Sequence, residues 1–274
     1  MTYTLNHGAA NAQPQTPWFP TRRSNGETRL RLFCFPYAGG GALVYRDWAA
    51  KLPAGVEVCP AQLPGRGSRR QEPCYTSLRQ IVEALAQVVP PLLDRPFAFF
   101  GHSMGALIAF ELARELRRAG GAAPVQLFVS GRSGPQVPKR GAVTYDLPER
   151  AFIERLRHLN GTPREVLEEP EMMRLMIPLL RADFEVSQTY EYTPEPALAC
   201  PITAFGGADD TQVGREDLAA WREQTSAGFS VRMLPGDHFF LNTERTALLQ
   251  TIAEELRRRL SGTTPPRAAP EPGA

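Results

Sequence analysis

Five consecutive residues, Gly101-His102-Ser103-Met104-Gly105, constrain this chain more than any other stretch. They read G-x-S-x-G. A short apolar run of strand length, Pro96-Phe97-Ala98-Phe99-Phe100, precedes them, and a helical pattern from Ala106 to Leu116 follows. A turn from strand straight into helix leaves no room for side chains at its flanks, which is what glycine at 101 and 105 allows. The residue at the apex is then held in a strained conformation with its side chain exposed above the sheet. Ser103 is therefore expected to be a nucleophile. The helix after it would aim backbone N–H groups and a positive dipole end at the reacting oxygen. Without the flanking strand and helix, the same five letters would be only a glycine-rich turn.

The rest of the chain supplies a setting for such an elbow. Leu30–Phe35 and Val56–Cys59 read as strands, followed by a helix over Tyr75–Leu93 with Leu78, Ile81, Val82 and Leu85 at helical spacing. Further strands are expected at Phe97–Phe100, Val125–Ser130, Ile202–Phe205 and Phe229–Leu234, and a last helix at Thr246–Leu260. Alternating strands and helices predict a mostly parallel sheet covered on both faces, one α/β domain over residues 27–260. Residues 134–198 separate two strands by far more than an ordinary crossover and carry helical patterns of their own. They read as a helical lid over the elbow. Met172, Met173 and Met176 lie in that segment, either as ordinary core or as a plastic wall for a variable acyl group. Residues 1–26 and 261–274 are proline-rich and aperiodic, and are expected to be disordered tails. Trp18 and Phe19 are two residues of the first tail that could dock back onto the domain.

Composition excludes several classes. Lys+Arg 31 against Asp+Glu 29 gives a net charge of +2, no footprint for nucleic acid. No apolar run approaches the roughly 20 residues that span a bilayer, and no signal peptide is visible. The four cysteines, Cys34, Cys59, Cys74 and Cys200, are scattered and do not cluster with His7, His102, His158 or His238. Unpaired thiols in a reducing cytoplasm are expected, with no metal, no cofactor and no membrane partner. A monomer is the default.

A serine hydroxyl needs a base within hydrogen-bond reach. His238 lies in Pro235-Gly236-Asp237-His238-Phe239-Phe240, a loop between the last strand and the last helix, and is the candidate. His102 is pinned in the elbow, His7 sits in the first tail and His158 in the lid. The imidazole needs a carboxylate to hold its tautomer. Gly206-Gly207-Ala208-Asp209-Asp210-Thr211-Gln212-Val213 follows a late strand and offers two. Asp210, three residues after Gly207 and three before Val213, is preferred; Asp209 is the alternative, and Asp237 reads as a turn residue. The chain order Ser, Asp, His is that of α/β-hydrolases. The oxyanion needs two donors. One is the backbone N–H of Met104; the other is assigned to Ala38 in the glycine-rich loop Phe35-Pro36-Tyr37-Ala38-Gly39-Gly40-Gly41. That loop lacks the G-K-[ST] of a nucleotide site.

Together these stretches resemble type II thioesterases, the free-standing editing enzymes of polyketide and nonribosomal peptide synthesis. Cys34–Gly41, Gln62-Leu63-Pro64-Gly65-Arg66-Gly67, the elbow and Gly236–Phe240 carry the likeness, and Leu180-Arg181-Ala182-Asp183-Phe184 also fits. Thr211 departs from the pattern, which often has proline after the acid. The resemblance implies an α/β-hydrolase fold and hydrolysis of stalled acyl groups from the phosphopantetheine arm of a carrier protein, through an acyl-Ser103 intermediate. Arg66, Arg69 and Arg70 are then either a solvated basic loop or a contact for an acidic carrier protein or the pantetheine phosphate. A general carboxylesterase or lipase shares the same triad and is the main rival. A non-catalytic binding protein and an acyltransferase or cyclase are more distant ones.

Overall fold

The protein is described by a computed structural model over residues 16–159, 161 and 167–262. Seven strands form one sheet among these residues: β1 (Arg23–Ser24), β2 (Leu30–Phe35), β3 (Val56–Pro60), β4 (Phe97–His102), β5 (Gln126–Ser130), β6 (Ile202–Gly207) and β7 (Phe229–Leu234). Their order is β1-β3-β2-β4-β5-β6-β7, parallel throughout except for the short antiparallel edge strand β1. Strands β2 to β6 are buried along their whole length, as expected of parallel strands covered on two faces. Arg31 is the polar exception in β2, and its guanidinium is neutralised across the sheet by Glu57 at 2.6 Å.

Two cores sandwich the sheet. On one face α1 (Leu78–Val88) and α2 (Met104–Arg118) pack Leu85, Leu107, Phe110 and Leu112 against Phe33, Phe99 and Leu127. On the other, α7 (Arg245–Gly262) packs Leu249, Ile252 and Leu256 against Phe100 and Phe128, with Trp48 beside them. Helix α1 is shorter than its apolar pattern suggests. It ends at Val88 and gives way to a 3-10 turn over Pro90–Leu92, because Pro90 and Pro91 have no N–H to continue the ladder.

Two expectations need correction at the edges. The boundary drawn at residue 27 is too late: Trp18 and Phe19 are buried in the first core, and Arg23–Ser24 add the edge strand. Composition reported the prolines there but not the two aromatic anchors' partners. At the other end α7 runs through Ser261 and Gly262. Residues 1–15 and 263–274, the remainder of both expected tails, lie outside the described residues, as do His7 and Val166.

The segment between β5 and β6 holds α3 (Glu149–Leu159) and α4 (Pro170–Thr189). Phe152, Leu156, Leu167, Met173, Ile177 and Leu180 form a small third cluster of their own. Farther along α4, Val186 enters the first core, so this helix is rooted in the domain at its C-terminal end. Two further helices are short, α5 (Arg215–Ala219) and α6 (Phe240–Thr243). Strand registers bring the carboxyl ends together: Phe35 pairs with Gly101, His102 with Ser130, and Gly207 with Leu234. The loops after β2, β4, β5, β6 and β7 therefore converge at one edge, where ligands of open α/β sheets bind.

Candidate active site

Ser103 stands between the end of β4 and the first turn of α2 with φ 54° and ψ −113°. It is the one non-glycine residue with positive φ among the described residues. Its N–H donates to the Ser130 carbonyl of β5 at 2.7 Å, which pins the apex to the sheet. Both flanking glycines are needed for close approach. A Cβ on Gly101 would lie 2.0 Å from the Gly105 carbonyl oxygen, and one on Gly105 would lie 2.0 Å from that of Phe35.

The loop after β7 carries His238, whose Nδ1 meets Oδ2 of Asp210 at 2.7 Å. The other carboxylate oxygen of Asp210 accepts the N–H groups of Gln212 at 2.8 Å and Val213 at 3.3 Å. A side chain so held, with no solvent exposure of its own, presents a fixed acceptor to the imidazole. Asp209 instead accepts the Gly236 N–H at 3.3 Å, and Asp237 accepts the Phe239 N–H at 2.8 Å in a local turn. The two loops meet because Gly207 has no side chain; a Cβ there would lie 2.2 Å from the Asp237 carbonyl oxygen. His158, on α3, is exposed and faces the Glu154 carbonyl.

Ala38 occupies a tight turn after β2. The Gly40 N–H donates to the Tyr37 carbonyl at 2.9 Å, and Gly39 has φ +81°, the value required at the third position of a type II turn. Met104 is fully buried at the first position of α2, where an N–H has no i−4 partner within the helix. Ser103, His238, Ala38 and Tyr37 line one cavity of about 670 Å³. Leu156, Leu159, Leu180 and Phe184, all between β5 and β6, form its apolar side. A model of the thioesterase domain matches residues 30–256 of the chain.

The chain belongs to the thioesterase family. It is 50% identical over 240 residues to the gramicidin S biosynthesis protein GrsT of Aneurinibacillus migulanus, covering 88% of this chain and 94% of that one. It is 38% identical over 229 residues to the thioesterase PikA5 of Streptomyces venezuelae, covering 83% and 81%. Among solved structures it resembles the type II thioesterase BorB from the borrelidin biosynthetic cluster, with a TM-score of 0.78, 37% identity, and 86% and 97% of the two chains covered. The fold is accordingly that of the thioesterase α/β-hydrolases.

Other residues of this thioesterase turn out differently from their sequence expectation. Arg66 and Arg69 are neither a solvated loop nor free for a partner protein: they are 7% and 6% exposed. Arg69 pairs with Glu72 and lies 4.4 Å over the Trp18 ring, while Arg66 forms a two-pronged ion pair with Asp183 of α4. Arg70 alone of the three is exposed. None of Met172, Met173 and Met176 lines the cavity; Met173 belongs to the third cluster and Met172 is 45% exposed.

The sequence reading passed over Arg132, which lines the cavity two residues beyond β5. It donates to Ser187 Oγ at 2.9 Å, and Lys139 donates to the Gln188 carbonyl at 2.9 Å, so both cations sit at the C-terminal end of α4 and complement its dipole. Burial pulls the Arg132 pKa down to about 10, which leaves it charged at neutral pH. His102 lies under the elbow, its Nδ1 2.8 Å from Ser130 Oγ and its ring 5.2 Å from that of His238. Burial, and to a smaller extent His238, hold its pKa well below the ordinary value, so it is neutral.

Proposed function

We propose that this chain is an editing thioesterase that clears stalled or misprimed acyl groups from the phosphopantetheine arm of carrier proteins in polyketide or nonribosomal peptide synthesis. Ser103 Oγ attacks the thioester carbonyl while His238 takes its proton. Asp210 holds the imidazole in the tautomer that leaves Nε2 free, and stabilises the imidazolium. The N–H groups of Met104 and Ala38 receive the oxyanion. The pantetheine thiol leaves with the proton from His238, which then deprotonates a water. That water attacks acyl-Ser103, the bond to Oγ breaks as His238 returns the proton to Ser103, and the free acid leaves.

The observation that carries this reading is a single one: the strained Ser103 and the Asp210-paired His238 open on the same cavity. The choice of thioester over oxygen ester is supported by the likeness to the thioesterases of biosynthetic clusters. Residues 134–198 act as the lid, their apolar residues forming the acyl wall. No described helix is long and apolar enough to cross a membrane. The reading puts the enzyme in the cytoplasm as a monomer, beside the carrier proteins it serves.

The test is single-turnover hydrolysis of acetyl and propionyl groups loaded on a carrier protein, wild type beside Ser103→Ala, with oxygen esters of the same acids in parallel. Fast thioester release that falls by about 10⁴-fold or more in the variant is expected, the scale on which triad members contribute. Thioester release no faster than the variant's, with oxygen esters cleaved well, would instead make the protein a general carboxylesterase.

A further inference from the structure

Two stretches far apart in sequence, Gln62–Gly67 and Leu180–Phe184, meet beneath the loop that carries Ala38. The Asp183 carboxylate lies at their junction, 1% exposed. Its Oδ2 accepts the Gly39 N–H at 2.7 Å and Arg66 Nη1 at 2.6 Å, and its Oδ1 accepts Arg66 Nη2 at 2.7 Å. Arg66 Nη1 also donates to the Gly40 carbonyl at 3.0 Å. Arg66 is held in turn, its carbonyl accepting Gln62 Nε2 at 2.8 Å, while Gln62 Oε1 accepts the Ala42 N–H at 3.0 Å. Every backbone group from Gly39 to Ala42 that these bonds touch is tied to the Asp183–Arg66 pair or to Gln62. Leu180, one turn before Asp183 on α4, packs so closely that a Cβ on Gly39 would lie 2.7 Å from its Cδ2.

We propose that Asp183 is a positioning residue for the oxyanion site, acting through the turn that bears Ala38. The inference rests on the reading of Ser103 as nucleophile and Ala38 as donor given above. A type II turn differs from type I by a flip of its central peptide, here Ala38–Gly39. The carboxylate selects one orientation. In the observed turn it receives the Gly39 N–H; in the flipped turn it would face the Ala38 carbonyl oxygen, and two oxygens bearing negative charge would repel. The Ala38 N–H lies on the preceding Tyr37–Ala38 peptide, whose carbonyl accepts the Gly40 N–H at 2.9 Å across the same turn, so the turn fastened by Asp183 also holds that N–H in place. A donor aimed before the reaction is worth its full effect, because it needs no reorganisation as charge develops. A carboxylate near a developing oxyanion would oppose it. Arg66 neutralises that charge through both oxygens, yet leaves a lone pair on Oδ2 for Gly39. The lid helix thus contributes to the oxyanion site without touching the substrate.

The experiment compares wild type, Asp183→Asn, Arg66→Lys and Ser103→Ala, with circular dichroism and thermal unfolding to establish folding. Steady-state kcat and KM on an acetyl-carrier protein are measured beside the Ki of a butylthio trifluoromethyl ketone. That ketone takes up Ser103 Oγ reversibly and places its own oxyanion where the reaction's would lie. In Asp183→Asn one amide oxygen replaces two carboxylate oxygens, so its N–H₂ must face either the Gly39 N–H or the Arg66 fork, donor against donor. The kcat is then expected to fall by about tenfold to a hundredfold with KM changed less than about threefold, the range for a misplaced donor. The ketone Ki should rise by the same factor as kcat falls, which general loosening of the fold would not produce. Arg66→Lys, with its charge kept and its fork lost, should show a smaller fall that tracks in the same way.

A folded Asp183→Asn with wild-type kcat and Ki overturns the proposal, as does a fall in kcat with the ketone Ki unmoved. If Asp183→Asn does not fold, Arg66→Lys decides: wild-type kcat overturns it, and a tracked fall supports it. Ser103→Ala separates the two layers. Retained hydrolysis there defeats the nucleophile reading itself, whereas loss there beside an unimpaired Asp183→Asn defeats only the positioning role.

Discussion

Ser103 holds a backbone conformation that costs on the order of 1–3 kcal/mol, and it persists because β4, β5 and α2 leave it no alternative. The residues around it divide by what their side chains are bound to. Asp210 faces His238, while the adjacent Asp209 is spent on the Gly236 N–H. Asp210→Asn should therefore lower kcat by about 10³- to 10⁴-fold, as loss of the tautomer-fixing carboxylate does elsewhere, and Asp209→Asn should stay within about threefold of wild type. Kinetics on one acyl-carrier substrate check both, and the reverse ranking would give the role to Asp209. His102 makes a different prediction. Its folded pKa lies below the unfolded value, so on acidification the unfolded chain binds a proton first. Stability is complete above about pH 6.5 and declines as pH falls, by up to about 1.4 kcal/mol per unit, until the folded pKa is reached. Thermal midpoints between pH 7.5 and 5.5 should fall more steeply for wild type than for His102→Asn; equal slopes would show that another group controls the acid limb.

Helix α4 does two jobs along its length. Its first half belongs to the small cluster around Phe152, and its second half is fastened by Asp183, Val186 and the cations at its C-terminus. Pro178 stands between the halves and removes one ladder hydrogen bond there. Phe152 is fully buried, with the Arg181 guanidinium 4.6 Å over its ring and Phe184 edge-on at 5.5 Å. Phe152→Ala should cost about 3–5 kcal/mol locally. Because this cluster is separate from the two cores on the sheet, the cost should appear as faster amide exchange in α3 and the first half of α4, with the sheet's protection kept. Uniformly faster exchange would mean that the cluster is part of the global core. The elements themselves were legible in the chain, because parallel strands buried on both faces are nearly unbroken apolar runs, and amphipathic helices such as Leu78–Val88 repeat at helical spacing. The strained elbow at Ser103 and the meeting of Asp210 with His238 were legible too, since each is set by a local turn. What was not legible is contact at a distance: the Arg66–Asp183 pair joins side chains 117 residues apart, and a charged residue in a loop motif carries no sign of a buried partner.

At the scale of the whole molecule, the segment before β2 shows the same limit and has a larger consequence. Prolines at 14, 17 and 20 read as a loose tail, but two aromatic residues between them close the first core. Trp18 stacks on Tyr75 at 6.2 Å, supports the Arg69 guanidinium at 4.4 Å, and gives its carbonyl to the Gln62 N–H at 2.8 Å. Phe19 meets Phe33 of β2 edge-on at 5.2 Å. This segment is therefore a clasp over the stretch that contains Gln62 and Arg66, and so lies two steps from the Ala38 turn. Trp18→Ala removes a buried indole and should cost about 3–5 kcal/mol. At roughly 2–4 °C per kcal/mol for a domain of this size, the midpoint should drop by about 6–20 °C, and Trp18→Phe, which keeps the stack on Tyr75, should recover much of it. Below the lowered midpoint, Trp18→Ala should still turn over substrate, since Gln62 and Arg66 keep their own bonds to the 39–42 loop. An unchanged midpoint would mean that the domain closes without this segment, with the edge strand and both aromatics dispensable to the fold.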